Sequence, residues 1–124
     1  MMLNFINFIL EKMADFNKDD IWKEFKEKQN MSVAELEEWL DTETSKNAGK
    51  EMDNGETVGH SAGRSILKIK KKDKSDFTES NWDRINETIG IYHQKIHPSQ
   101  KPKNDIENSD WYYALKNWGH DALK

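Results

Sequence analysis

Residues 78–97 read TESNWDRINETIGIYHQKIH, and this stretch carries the clearest helical period in the chain. Its large apolar side chains recur every three or four residues, at Trp82, Ile85, Ile89, Tyr92 and Ile96. That spacing predicts an amphipathic helix with one buried face. We expect Thr78 to cap its N-terminus and Pro98 to stop it, because proline disfavours helical backbone in the residue before it.

Four other segments predict further helices of the same kind. Ser32 and Glu35 have the spacing of a capping box and precede an apolar period that reaches Leu40. The remaining apolar periods fall within residues 19–25, 61–74 and 111–118. Residues 44–57 are polar and predict a loop, and no segment has a convincing strand pattern. We therefore predict an all-α fold, a small single-domain bundle of about five helices with one long loop.

The length and composition of the chain fit one domain. With 124 residues, 35% of them hydrophobic and 34% charged, the chain is long enough for a single core. We predict an apolar N-terminal extension at residues 1–12 and one helical domain at residues 13–124.

The apolar run is far shorter than the roughly 18 residues that a membrane span requires, so we expect no membrane partner. The absence of cysteine excludes disulfides and thiol chemistry, and it suits the cytoplasm, or the nucleus in a eukaryote.

Charge is distributed unevenly along the chain. Residues 1–63 contain 7 Lys or Arg against 14 Asp or Glu, whereas residues 64–124 contain 12 against 9. The basic side chains concentrate early in the second half, at Arg64, Lys68, Lys70, Lys71, Lys72 and Lys74. On one helix this cluster would neutralise several phosphates, so we predict contact with DNA or RNA at these residues. The alternative is a protein-interaction module that uses the acidic first half and the loop at residues 44–57.

Two Gly-His motifs stand out in the second half. The first is Val58-Gly59-His60-Ser61-Ala62-Gly63-Arg64, and the second is Asn117-Trp118-Gly119-His120-Asp121. Because glycine permits close approach of the backbone, the polar groups beside it are candidates for a small pocket, formed by His60, Arg64, His120 and Asp121. The structural alternative is that they serve the fold, with His120 bonded to a carboxylate or to the C-terminal turn. We also expect Gly119 to end the last helix.

Two patterns that are typical of enzymes are incomplete in this chain. Ser61 lies in a G-x-S-x-G sequence, but the turn-like residues before it do not form the buried strand that a nucleophile elbow requires. His93 and His97 have the spacing of two helical metal ligands, but Gln94 cannot act as the general base of the zinc-protease motif. A third ligand would have to come from a distant residue. We therefore predict a non-enzymatic protein with no catalytic residue, no metal site and no cofactor. A hydrolase or a metal enzyme is the remaining alternative.

Together with residues 30–40, the two Gly-His motifs resemble a family of bacterial and fungal proteins catalogued as domain of unknown function three-one-four-zero. The resemblance spans residues 21–124. Ser32 stands where members usually have threonine, Ala122 stands where they usually have proline, and many members have glutamate in place of Ser61. Some members are labelled DNA-binding proteins. The resemblance therefore implies a nucleic-acid partner and no known catalytic residue.

Overall fold

The computed structural model describes residues 18–97 and 101–124, and the regular secondary structure within these ranges is helical. The α-helices are α1 (residues 18–28), α2 (Val33–Leu40), α3 (Glu43–Asn47), α4 (Val58–Lys70), α5 (Glu79–Lys95), α6 (Lys103–Glu107) and α7 (Asp110–Asn117). A 3₁₀ turn at Lys74–Asp76 joins α4 to α5. The predicted all-α, small single-domain fold is confirmed. The extension predicted at residues 1–12 lies outside the described residues.

The five longest helices of the described ranges, α1, α2, α4, α5 and α7, are those that the sequence predicts. Ser32 and Glu35 form the predicted capping box at the start of α2. Thr78 caps α5 as predicted, and its side-chain oxygen accepts the backbone N–H of Asn81 at 3.1 Å. Caps of this kind are encoded locally, because they depend on residues three positions apart.

Two short helices, α3 and α6, lie where the sequence predicts no regular structure. The helix α3 begins because Thr42 Oγ1 accepts the backbone N–H of Ser45 at 3.1 Å. Part of the loop predicted at residues 44–57 is therefore helical, and the prediction of its length is wrong. A five-residue helix has no second apolar turn, so hydrophobic periodicity cannot reveal it. The remaining loop is closed at its end by the Val58 N–H, which donates to the Lys50 carbonyl oxygen at 2.8 Å.

The helix α4 begins earlier and ends earlier than residues 61–74, the range that the sequence predicts. It begins at Val58 because the Thr57 side chain accepts the backbone N–H of His60 at 3.2 Å. It ends at Lys70 because no apolar side chain follows Ile69 until Phe77, so further turns have nothing to pack against the core. Three lysines of the predicted interface therefore lie beyond the α-helix: Lys71, Lys72 and Lys74.

The core lies between α2, α4, α5 and α7, and Phe25 of α1 packs against one side of it. Each of these four helices contributes fully buried side chains, including Leu36, Ile66, Ile69, Ile85, Tyr92 and Leu115. The Tyr92 hydroxyl donates to the Trp118 carbonyl oxygen at 2.5 Å and joins α5 to the end of α7. A buried hydroxyl needs such a partner, because an unpaired polar group in the core is costly.

Candidate nucleic-acid interface

The first Gly-His motif holds the loop before α4 against that helix. Arg64 donates from Nε and Nη2 to the two carboxylate oxygens of Glu56, at 2.7 Å each. His60 Nδ1 lies 2.7 Å from the Glu56 carboxylate, and His60 Nε2 lies 2.8 Å from the Leu40 carbonyl oxygen. The hydrogen bonds from Arg64 and then His60 lower the pKa of Glu56 to about 2. We call this group of Glu56, His60 and Arg64 the Glu56 clasp.

The glycines of the same motif let α4 approach the end of α7. A Cβ atom on Gly63 would lie 2.5 Å from the Asn117 carbonyl oxygen and 2.5 Å from Leu40 Cδ2. A Cβ atom on Gly59 would lie 3.3 Å from the Asn117 side-chain nitrogen. Position 63 therefore requires glycine for packing, because a backbone carbonyl cannot move aside as a flexible side chain can.

The second motif begins with Asn117, whose side chain is 0% exposed and fully hydrogen-bonded. Its Oδ1 accepts from Trp39 Nε1 at 2.9 Å and from Ser45 Oγ at 2.5 Å. Its Nδ2 donates to the carbonyl oxygens of Ser45 at 3.1 Å and Ala48 at 3.3 Å. One buried amide thus ties α2, α3 and the following loop to α7.

Gly119 ends α7, as the sequence predicts. Its φ of +87° is in the left-handed region that favours glycine. The N–H groups of Gly119 and His120 donate to the carbonyl oxygens of Lys116 and Leu115, at 2.9 Å each. This pair of bonds is the Schellman motif, which satisfies the last carbonyl groups of a helix.

The last two residues of this motif fasten the C-terminal segment to the end of α1. His120 Nδ1 lies 2.6 Å from the Lys28 carbonyl oxygen. The Asp121 N–H donates to Asn30 Oδ1 at 2.7 Å, and its carboxylate accepts from the Tyr112 hydroxyl at 2.8 Å. The sequence suggested a carboxylate or the C-terminal turn as the partner of His120, and the structure gives a backbone carbonyl 92 positions away instead.

The four residues predicted to form a polar pocket lie at two places. His60 and Arg64 line a cavity of about 600 Å³ that also contains the carboxylates of Glu37, Glu38 and Asp41. Asp121 lines a different cavity of about 280 Å³. His120 lines neither of these two cavities. All four side chains hydrogen-bond within the protein, which agrees with the structural alternative.

The residues of the two incomplete enzyme patterns have ordinary surroundings. Ser61 lies inside α4, whereas a nucleophile elbow would place it on a tight turn between a strand and a helix. His93 Nε2 hydrogen-bonds the Glu24 carboxylate, and the His97 ring lies 5.1 Å from the Trp111 ring. In residues 18–97 and 101–124, no three His, Cys, Asp or Glu side chains are grouped in a way that could hold a metal ion.

The six basic residues of the predicted interface do not form one helical stripe. Arg64 belongs to the Glu56 clasp, and Lys71 Nζ lies 3.4 Å from the Glu37 carboxylate of α2. Lys74 Nζ lies 3.7 Å from the carboxylate of Asp19 on α1. The prediction that the whole cluster lies on one helix is wrong, because α4 ends at Lys70 and the side chains after it no longer follow one helical face.

The other three basic residues are not paired with a carboxylate. Lys68 is exposed and has no hydrogen-bond or ion-pair partner among the described residues. Lys70 Nζ donates to Gln29 Oε1 at 2.6 Å, and Lys72 Nζ donates to Asn81 Oδ1 at 3.1 Å. Both of these acceptors are neutral amides, so the positive charge of each lysine is not neutralised by its hydrogen-bond partner.

A cavity of about 320 Å³ lies between α1 and the end of α4. Three lysines, one amide and three apolar side chains line it: Lys26, Lys70, Lys72, Gln29, Trp22, Phe25 and Ile69. No carboxylate is among these lining residues, in contrast to the cavity beside the Glu56 clasp. We call it the lysine cavity. Its volume falls at the lower end of the range for small-ligand pockets, roughly 300–1,000 Å³.

Four residues that line the lysine cavity were missed in the sequence because they lie on α1 or directly after it, in the acidic half of the chain. Trp22 and Lys26 are separated by one helical turn, and the Lys26 ammonium lies 5.5 Å from the centre of the Trp22 ring. An i, i+4 pair of an aromatic and a basic residue is the signal that could have indicated them. Gln29 gave no signal, since Lys70 and Gly119, two of its partners, are 41 and 90 positions away.

The fold and the lysine cavity define a small helical protein with a positively charged cavity beside the end of α4. The chain belongs to the family described as "Protein of unknown function (DUF3140)", whose match covers residues 24–116. The first Gly-His motif lies inside this match, and the second begins at the residue after it. No curated protein and no solved structure matches the chain.

None of the helices in the described ranges has both the length and the apolar character that crossing a bilayer would require.

Proposed function

We propose that this protein binds the phosphate backbone of nucleic acid, without sequence specificity and without catalysis, through the lysine cavity and two further lysines of the same chain segment. These two are Lys68 and Lys74, both of which are exposed. The carrying observation is that three lysines line one cavity to which no carboxylate contributes. Arg64 and Lys71 are not part of the proposed interface, because each hydrogen-bonds a carboxylate of the protein. The Lys74 ammonium lies 3.7 Å from the Asp19 carboxylate, beyond hydrogen-bond distance, so we keep it in the interface.

The expected affinity is modest. Lysine contacts to backbone phosphates carry no sequence information, so we expect the ordinary non-specific range, with a Kd on the order of 10⁻⁴–10⁻⁶ M at physiological salt. The non-enzymatic part of the proposal is supported by Ser61, which lies inside a regular helix with no preceding strand among the described residues. The lack of cysteine supports a cytoplasmic site of action.

The test is retention on DNA and RNA over a series of salt concentrations. The double variant Lys68→Gln/Lys74→Gln removes two exposed cations and leaves the residues that line the cavity unchanged. We expect the wild type to bind at low salt and the variant to show a slope of log K against log salt that is smaller by about 2, one for each lost phosphate contact.

The matched control is Lys46→Gln/Lys103→Gln, which makes the same change in net charge at exposed residues of α3 and α6. We expect this control to keep the wild-type slope. If the wild type shows no retention on either nucleic acid at low salt, the proposal fails. An equal loss of affinity in this control and in Lys68→Gln/Lys74→Gln would show that binding depends on net charge alone.

The protein-interaction alternative is favoured by one observation, the three carboxylates in the cavity beside the Glu56 clasp. The loop that it was expected to use is bound internally. Ser45 is 0% exposed and bonded to Asn117, and Glu56 is held by the clasp. A partner would therefore meet carboxylates of α2 and not the loop. Failure of salt-dependent retention would leave this alternative as the better proposal.

A further inference from the structure

The ammonium group of Lys70 is an unusual feature of the lysine cavity. Lys70 is only partly exposed, and the sole hydrogen-bond partner of its ammonium group in the described ranges is the neutral side-chain oxygen of Gln29. An ammonium group has three donors, so two of them remain for a ligand in the cavity. Burial and, to a smaller extent, the nearby Lys124 ammonium lower the pKa of Lys70. An anion beside Lys70 would relieve both unfavourable effects.

Gln29 holds Lys70 in place. The Gln29 side chain is buried, and its Nε2 donates to the carbonyl oxygens of Met31 at 2.9 Å and Gly119 at 3.1 Å. With both amide hydrogens committed, its Oε1 points to Lys70 and cannot exchange places with the nitrogen. A Cβ atom on Gly119 would lie 2.9 Å from Gln29 Nε2, so the second Gly-His motif also fixes this amide. The lysine is therefore positioned by the fold before any ligand arrives.

Three apolar side chains also line the cavity, and two of them are aromatic. The Trp22 and Phe25 rings are stacked with their centres 6.0 Å apart, and Phe25 is only 3% exposed, so Trp22 is the aromatic ring that a ligand can reach. A ligand that matches both the lysines and this apolar lining needs a compact anionic group and a flat or apolar part. A phosphomonoester carries a charge of about −1.5 to −2 at pH 7, which three ammonium groups complement. A base or sugar would supply the apolar contact.

We propose that the lysine cavity is a subsite for one nucleotide, with its terminal phosphate on Lys70, Lys26 and Lys72 and its base or sugar against the Trp22 ring. The inference rests on the proposed function and deepens it, because it names the part of a nucleic acid that the cavity accepts, the phosphorylated end of a strand. A free nucleotide has the same chemistry, and the experiment below separates the two sources.

The experiment follows the backbone amide NMR signals of the full chain during titration with AMP, adenosine or inorganic phosphate. We expect AMP to shift the signals of Gln29, Ile69, Lys70 and Lys72 in a saturable manner. Inorganic phosphate should bind more weakly, and adenosine should cause no such shifts. Equal binding of AMP and inorganic phosphate would overturn the assignment of a nucleotide, and equal binding of AMP and adenosine would overturn the assignment of a phosphate site.

The variant Lys70→Met keeps the aliphatic stem and removes the ammonium group. We expect AMP binding to weaken about tenfold or more, the usual size of a lost charge-assisted hydrogen bond. Because Lys70→Met also leaves Gln29 Oε1 unpaired, the exposed residue Lys26 provides a second variant, Lys26→Gln, with a several-fold loss expected. The control is Lys46→Met, at an exposed residue of α3 outside the cavity lining, and it should bind AMP like the wild type. Unchanged binding by both cavity variants would overturn the inference.

Oligonucleotides of one sequence, with and without a terminal phosphate, separate the two proposals. Tighter binding of the phosphorylated strand, lost in Lys70→Met, supports the strand-end subsite. Retention of both strands with equal affinity, together with no AMP response, would overturn the subsite and leave the proposed function standing. An AMP response without retention of either strand would overturn the proposed function and show that the cavity takes a free nucleotide.

Discussion

At the scale of single residues, the glycines of this chain differ sharply in what they do. Gly63 lies where a Cβ atom would overlap a backbone oxygen, whereas Gly90 lies on the exposed side of α5, where an added Cβ atom would meet nothing within 4 Å. Both are helical, and nothing in the local sequence separates them. The difference arises from the end of α7 and from Leu40 of α2, which lie close to Gly63 and not to Gly90.

We expect Gly63→Ala to lower the free energy of unfolding by about 2–3 kcal/mol, the usual cost of overpacking at a site that cannot relax. Gly90→Ala is the matched control, and it should raise stability by up to about 1 kcal/mol because alanine favours a helix more than glycine does. Urea unfolding of both variants gives the comparison. Equal stability of the two variants would contradict the close approach of α4 to α7.

At the scale of helices, Asn117 shows how one polar side chain can organise several elements. It joins α7 to Trp39 of α2 and to Ser45 of α3 through hydrogen bonds that are buried or partly buried. In the sequence, Asn117 belongs to the second Gly-His motif, but nothing there indicates why an asparagine is needed at this position. The reason is that α3 is too short to bury an apolar face, so a buried amide fastens it instead.

We expect Asn117→Ala to lower the free energy of unfolding by about 3 kcal/mol or more, because it leaves the Trp39 indole, the Ser45 hydroxyl and two carbonyl groups without their buried partner. The matched control is Asn108→Ala, where an exposed amide donates to a backbone carbonyl within the α6 region at 2.8 Å. That control should cost less than about 1 kcal/mol. Hydrogen exchange at α3 should rise in the first variant only.

At the scale of the whole molecule, charges from distant parts of the sequence meet and sort into two regions. Carboxylates of the acidic half bind Arg64 and Lys71, while Lys26 of that same half joins Lys70 and Lys72. The difference in net charge between the two halves therefore does not describe the surface. The lysine cavity, which no carboxylate lines, lies between the first and fourth helices.

The Glu56 clasp makes the stability of the molecule depend on pH. The pKa of Glu56 is lowered from 4.5 to about 2, so the folded state favours its carboxylate form. This contribution is fully present above pH 4.5 and is lost as the pH falls towards 2. We expect Glu56→Gln to cost about 1–2 kcal/mol at pH 7, a figure reduced for partial exposure of the clasp, and to cost much less at pH 2.

Urea unfolding of the wild type and Glu56→Gln at several pH values measures this difference. Glu87→Gln is the control, because Glu87 makes one exposed ion pair with Arg84 and such pairs contribute little. A constant difference between wild type and Glu56→Gln from pH 7 to pH 2 would show that the clasp acts through packing and not through charge.

The sequence by itself determined the fold class, the five long helices, the caps at Ser32 and Thr78 and the end of α7 at Gly119. These features depend on residues within a few positions of one another, which apolar period and capping chemistry report directly. Only the tertiary structure decided which basic residues are available to bind an anionic ligand. Lys71 meets Glu37 from 34 positions away and Lys70 meets Gln29 from 41, so the partner of each charge depends on how helices pack. A charged side chain carries no local signal of the group that will lie beside it after folding.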